Sequence, residues 1–298
     1  MANRTPTKRR RRPATLALYA GDGRSNPEVE RLFFSRLRLP NGTYKLTYRR
    51  RLDDVNDAML ALLPRDRGLD IMDVAVSSGV STIEWSDQLL ANGIQHRLVA
   101  GDVMVEAWLT SWGGTVALLF DNTEREPLLL EVGPVSVPVR SDRWLARKTR
   151  PILFPLLRAV AHMGRVASDA EQRRANRARG WAYRQVSLVT PELQLRNEIE
   201  LIEDDISTPG RFAESFDVIR AANLVQRVYF DDDALRCILR NLRDRLRNGG
   251  LLVICRTMPS GINHMSVFRR RGPRLVNVAA RNGGVEISEL VLALGARE

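Results

Sequence analysis

Long apolar runs are missing from this chain. No segment approaches the roughly 20 consecutive apolar residues that a membrane-spanning helix requires, so no span is expected. Cysteine is scarce as well: Cys237 and Cys255 are the only two, too few for a disulfide framework. Cys237 lies in a helical pattern and Cys255 ends an apolar strand, so both are expected as small buried hydrophobes in a reducing cytoplasm. The three histidines, His96, His162 and His264, have no ligand-like spacing to one another or to cysteine, and no metal site is expected. Lysine is almost absent, since Lys8, Lys45 and Lys148 are the only ones among 46 basic residues, a skew read as coding bias rather than as a site. A G-x-G-x-x-G fingerprint occurs nowhere, which argues against a nicotinamide dehydrogenase.

What is present is an ordinary globular composition, 44% hydrophobic and 27% charged, in a chain of 298 residues that can bury one large core. The net charge of +11 suggests a polyanion binder until it is located. Residues 1–51 hold 14 basic against 3 acidic side chains, which leaves 32 of each for residues 52–298, so the body is neutral. Residues 1–26, with "TKRRRRPAT" at 7–15, read as a basic, disordered leader, with a tether to nucleic acid or another polyanion as the alternative. A signal peptide is not expected, because "ATLALYA" is barely long enough for its apolar segment and helix- and strand-forming sequence resumes soon after.

Further along, strand-length apolar runs alternate with helical patterns, the signature of a parallel α/β sheet. Strands are expected at 69–76, 97–101, 199–203, 216–221 and 251–256, and helices near 81–91 and 232–247. In the latter, Leu235, Ile238, Leu239, Leu242 and Leu246 recur on one face, and "RNGG" at 247–250 reads as its C-cap. Residues 264–294 read as an antiparallel hairpin closing one sheet edge. Residues 27–68 read as an N-terminal helical cap. The main domain is then 69–298, interrupted by an insertion at about 103–197 that reads as a hairpin plus two helices.

Within "LDIMDVAVSSGVSTIEWSDQLL", residues 69–90, an apolar strand ends near an acid and a small-residue turn leads into a helix. Small residues there let backbone approach a nucleotide-like ligand. The three alternating positions that would carry glycine are Ala75, Ser77 and Gly79.

The segment "FDVIRAANLVQRVYFDDDALRCILRNLRDRLRNGGLLVICRT", residues 216–257, resembles the second half of class I S-adenosylmethionine (SAM)-dependent methyltransferases, nearest to the chemotaxis-receptor (CheR-type) branch. Phe216, Asp217, Ile219, Asn223, Tyr229, Phe230, Gly249 and Gly250 carry the likeness. It implies a Rossmann-like α/β fold, a seven-stranded sheet with helices on both faces and an antiparallel last strand. It also implies a SAM site in which Asp73 and the loop Ala75, Ser77, Ser78 and Gly79 hold the methionine end. Asp102 would take the ribose hydroxyls. Asp204, Asp205 and Ile206 would meet the adenine, with Asp205 favoured over Asp204, and Ala222, Asn223 and Leu224 would line the cofactor. Two departures accompany the likeness: Val80 and Ser81 stand where that branch has paired glutamates, and the N-terminal region differs from its receptor-binding domain.

The implied activity is methyl transfer to an unidentified small-molecule or protein acceptor. A carboxylate acceptor would need no base; for a hydroxyl or amine, Tyr229 or His264 would be the candidate. The alternatives are a nucleic-acid methyltransferase tethered by the leader, against which stand the neutral body and the lack of an Asn-Pro-Pro-Tyr-like motif, and a non-catalytic SAM-fold binding protein.

Overall fold

In the computed structural model, residues 12–19, 26–40, 42–123, 126–137, 139, 144–166 and 180–295 are described. The first eleven residues of the leader, and most of the segment in which the second insertion helix is expected, lie outside them. Contacts divide the chain into two compact units, residues 1–46 with 106–192 and residues 47–105 with 193–298.

The second unit carries the expected α/β sheet. Its seven strands are β1 (Leu69–Val74), β2 (His96–Asp102), β8 (Ile199–Glu203), β9 (Phe216–Ala222), β10 (Leu246–Thr257), β11 (Asn263–Arg271) and β12 (Arg274–Arg281). They lie in the order β12-β11-β10-β9-β1-β2-β8. The five strands from β8 to β10 are parallel, and β11 and β12 each run antiparallel to the preceding strand. The short loop 272–273 between β11 and β12 makes the expected hairpin. Parallel strands buried on both sides need continuous apolar runs, which "DVIRAA" and "LLVIC" supply except for Asp217 at the start of the first and Arg220 within it.

Helix α7 (Asp232–Arg245) begins where Asp231 Oδ1 accepts the Ala234 N–H at 2.8 Å, with Asp232 and Asp233 in its first turn and Arg243 and Arg245 in its last. Both ends match the helix dipole. Leu235, Ile238, Leu239 and Leu242 are buried against Phe216, Ile219 and Leu252, each contributing on the order of 1.5–3 kcal/mol. The helix stops two residues before the expected end. Leu246 is extended, and it pairs with Phe216 in β9 before the register shifts to Leu251 opposite Val218. The glycines of "RNGG" therefore serve a bulge, not a C-cap: a Cβ on Gly250 would lie 2.9–3.1 Å from the backbone oxygens of Arg247, Asp217 and Phe216.

Cys255 is buried at the end of β10, and burial pushes its thiol up to about 12. Cys237 is exposed, contrary to expectation, because its position on α7 falls beside the buried stripe. A thiol reagent added to the folded protein should therefore modify Cys237 alone, with Cys255 reacting only after denaturation. Release of two equivalents from native protein would contradict this burial.

The first unit is a five-stranded antiparallel sheet in the order β6-β5-β4-β3-β7, made of β3 (Glu106–Trp112), β4 (Val116–Asp121), β5 (Pro127–Val132), β6 (Val135–Val137) and β7 (Trp181–Ser187). The long helix α5 (Trp144–Val166) packs Leu157 and Ala161 against Leu118 and Phe120 of this sheet. The expected hairpin is β4–β5; the sheet around it was not expected. Helix α1 (Ala14–Leu18) also belongs to this unit, with Ala14 and Leu18 buried and the Thr15 N–H donating to Glu131 at 2.9 Å. The leader therefore contains a packed helix where a tail was expected. The cap of residues 27–68 is not one body either: α2 (Pro27–Arg36) belongs to the first unit and α3 (Asp53–Leu60) to the second.

Candidate functional site

The turn between β1 and α4 (Val80–Ala91) holds three left-handed residues in alternation: Ala75 at φ 56°, Ser77 at 59° and Gly79 at 83°. These are the three positions the sequence marked for glycine. A side chain in that conformation costs about 1–2 kcal/mol, so the turn must be held from outside. The Val76 N–H donates to Gly101 O at 3.2 Å and the Ser77 N–H to Asp102 Oδ2 at 2.8 Å, which hangs the turn from the end of β2. Strain held in this way by neighbouring structure marks functional loops. Ala75→Gly should accordingly stabilise the fold by about 0.5–1 kcal/mol, the reverse of glycine's usual effect. A urea midpoint that falls in this variant would contradict the assignment.

Asp102 is 5% exposed. Its Oδ1 accepts the Met104 N–H at 3.1 Å while Oδ2 accepts from Ser77, so its carboxylate is fixed at the mouth of the loop. Ser78 is buried, and its Oγ has no hydrogen-bond partner within the chain. Helix α4 starts at Gly79 with no side-chain cap and no acid in its first turn, the kind of helix start that can take an anion.

Asp73 departs from its expected role. Its carboxylate is 2% exposed and fully engaged: Arg220 Nε donates to Oδ1 at 2.9 Å, Arg220 Nη2 to Oδ2 at 2.6 Å, and Thr82 Oγ1 to Oδ2 at 2.7 Å. Arg220 in turn donates to Asn56 Oδ1 and Ser81 O, and lies 4.2 Å from the Trp85 ring centroid. Asp73 thus anchors α4 and α3 to the sheet, beneath the loop rather than in it.

On the other side, Asp204 is likewise taken up by Arg245 Nη1 at 2.6 Å. Asp205 is exposed and uses Oδ1 to accept from Ser207 N–H and Oγ–H, a local turn that leaves the carboxylate at the surface. Ile206 packs into the core with Met72 and Val74, and Leu224 lies half-buried on the same cluster. A cleft of about 550 Å³ runs along β8, lined by Glu200, Glu203, Asp204, Asp205, Gly210 and Arg211; the loop at 75–79 is not among its walls.

At the end of β9, Ala222 is half-buried and Asn223 is left-handed at φ 61°. The Asn223 Oδ1 accepts the Thr257 N–H at 2.6 Å, its Nδ2 donates to Thr257 Oγ1 and its own N–H donates to Cys255 O, which ties β9 to β10. Tyr229 is 44% exposed in the turn beyond. His264 stands opposite Arg256 on β11. Among the described residues, no group of His, Cys, Asp and Glu is arranged to hold a metal ion.

Three side chains at this end of the sheet were missed. Arg220 was legible as a charge inside the apolar strand "DVIRAA". Gln226 has a buried Oε1 without a partner while its Nε2 donates to Asn223 O. Arg51 is half-buried, and its Nε has no partner; burial lowers its guanidinium pKa and Arg220 adds to the effect. In sequence, Arg51 was hidden in a run of three arginines that read as surface charge.

S-adenosylmethionine fits this arrangement at the loop, at the start of α4 and at Asp102: the Ser78 Oγ is buried without a partner, the helix start has no side-chain cap, and the carboxylate is oriented by the Ser77 N–H. It does not fit Asp73 or Asp204, whose carboxylates are closed by arginine.

No family model matches the chain, and no curated protein matches it. Solved structures to which it is similar include the methyltransferase domain of citrinin polyketide synthase, at 12% identity and TM-score 0.35, covering 82% of this chain and 41% of that one. A SAM-dependent methyltransferase from Mesorhizobium loti is 15% identical, TM-score 0.31, with 70% and 56% covered. The trans-methyltransferase CalH, solved with S-adenosylhomocysteine, is 15% identical, TM-score 0.28, with 63% and 32% covered. The chain thus spans about a third to somewhat over half the length of these proteins, and similarity at this level transfers no activity.

Proposed function

We propose that the second unit binds S-adenosylmethionine across the carboxyl ends of β1, β2 and β8, and that the chain transfers its methyl group to a small-molecule or protein acceptor through oxygen or nitrogen. The observation that carries this reading is the loop Ala75-Val76-Ser77-Ser78-Gly79, which keeps the alternating left-handed backbone of a glycine-rich cofactor turn with only the last of its glycines. The likeness of residues 216–257 to the chemotaxis-receptor branch supports the same reading, through Asn223, the Tyr229–Phe230 pair and Gly249–Gly250.

When bound, the cofactor supplies an electrophilic methyl group, so the protein's task is positioning and exclusion of water. Asp102, already desolvated and oriented by the Ser77 and Met104 N–H groups, is the carboxylate that takes the ribose hydroxyls. The first turn of α4 takes the methionine carboxylate, and Asp205 takes the adenine amino group. Arg51 and the Gln226 Oε1, each with a buried polar atom lacking a partner, supply a cation and an acceptor, which suits an acceptor molecule carrying both an anionic group and an N–H or O–H donor.

A second reading, a non-catalytic binding protein, has one observation in its favour. A Cβ built on Gly79 would meet Leu193 Cδ2 at 2.5 Å, so an apolar side chain already lies on the loop. Calorimetric titration with S-adenosylhomocysteine separates the two: binding supports the methyltransferase, and its absence leaves the binding-protein reading.

A further inference from the structure

Helix α5 is apolar on two opposite sides. Its inner side, with Leu157 and Ala161, is covered by the five-stranded sheet. Its outer side carries Ile152, Leu156, Ala159, Met163 and Val166 at steps of four, three, four and three residues, a continuous stripe along a helix. That stripe faces solvent: Ile152 is 79% exposed, Leu156 60%, Met163 53% and Val166 43%. Monomeric proteins rarely leave such a contiguous apolar row uncovered.

Charge decides what fits it. Across residues 144–166 the helix contains Arg147, Lys148, Arg150, Arg158 and Arg165 and no Asp or Glu. Lys148, Arg158 and Arg165 are exposed; Arg158 and Arg165, one heptad apart, lie at the margin of the solvent-facing side beyond Pro155 and His162, where Arg158 also reaches Glu126 at 3.9 Å. A second copy packed through this face would bring like-charged rows together, and the leader run Lys8–Arg12 carries the same sign. An anionic surface is complementary to both the stripe and its flank. We infer that α5 is a membrane-surface element that lies flat on anionic phospholipid, with Ile152, Leu156 and Met163 in the boundary between headgroups and acyl chains and Arg158 and Arg165 on lipid phosphates. No described helix is long and apolar enough to cross a membrane; this helix lies on one.

The test is cosedimentation of the full chain with vesicles of phosphatidylglycerol and of phosphatidylcholine. The chain is expected to sediment with the anionic vesicles only, and less as salt rises. The triple variant I152S/L156S/M163S should bind at least about tenfold more weakly with an unchanged melting temperature. The charge variant R158E/R165E should lose binding as well, and it decides the matter should the triple variant melt early. Three results would overturn the inference: no sedimentation with phosphatidylglycerol; binding that survives both variants but disappears when residues 2–11 are deleted; or a dimer in sedimentation velocity that the triple variant converts to monomer.

Discussion

Arg220→Ala is expected to lower the unfolding free energy by about 3–5 kcal/mol, the usual consequence of removing one partner of a buried ion pair. Arg220 and Asp73 are both almost fully buried, and their in-register positions on β9 and β1 bring them within 2.6 Å. Without the guanidinium, Asp73 keeps only the Thr82 hydroxyl, while Asn56 Oδ1 and Ser81 O lose their donor. The pair is not expected to be worth its Coulomb energy, because desolvation offsets most of it. A D73L/R220L double variant should thus be far closer to the parent than either single change predicts. Urea unfolding followed by circular dichroism measures all of these. A single-variant loss below about 1 kcal/mol would mean that the site is hydrated and the network is not structural.

Asp102→Ala is expected to weaken S-adenosylhomocysteine binding by about 1–3 kcal/mol, roughly five- to 150-fold. Two effects combine. The ribose loses its acceptor, and the Ser77 N–H loses the carboxylate that holds it in a left-handed conformation. Asp102→Asn separates them: its amide oxygen can still accept from Ser77, so the loop stays in place while the charge is removed. The alanine variant should therefore bind more weakly than the asparagine variant. Equal, parent-like affinity in both would remove Asp102 from the site.

The sheet was largely legible because parallel strands buried on both sides must be written as mainly apolar runs, as β1, β9 and β10 are, while the edge strand β8, "IELIE", shows the alternation of a half-exposed strand. The antiparallel sheet of the first unit was not. Its strands are half-exposed and mix Trp, Ser, Thr and Arg, as in "EAWLTSW" and "WAYRQVS", so period-two alternation was blurred. The loop was legible by position, since Ala75, Ser77 and Gly79 fell where left-handed residues are needed. Asp73 was not, because a carboxylate at a strand end looks the same whether it faces a ligand or an arginine in register on the neighbouring strand. Its partner was visible all along as the basic residue in the middle of "DVIRAA". The helix end at Arg245 was misplaced because Gly249 and Gly250 signal a turn equally well after a helix or inside a bulged strand.

Isothermal calorimetry of the full chain with S-adenosylmethionine and S-adenosylhomocysteine, alongside the Asp102→Ala variant, is the most direct measurement of the central claim. The account predicts saturable one-to-one binding of both compounds, weakened in the variant. Absence of heat with either compound on folded protein, confirmed by an unchanged melting temperature in their presence, would contradict it.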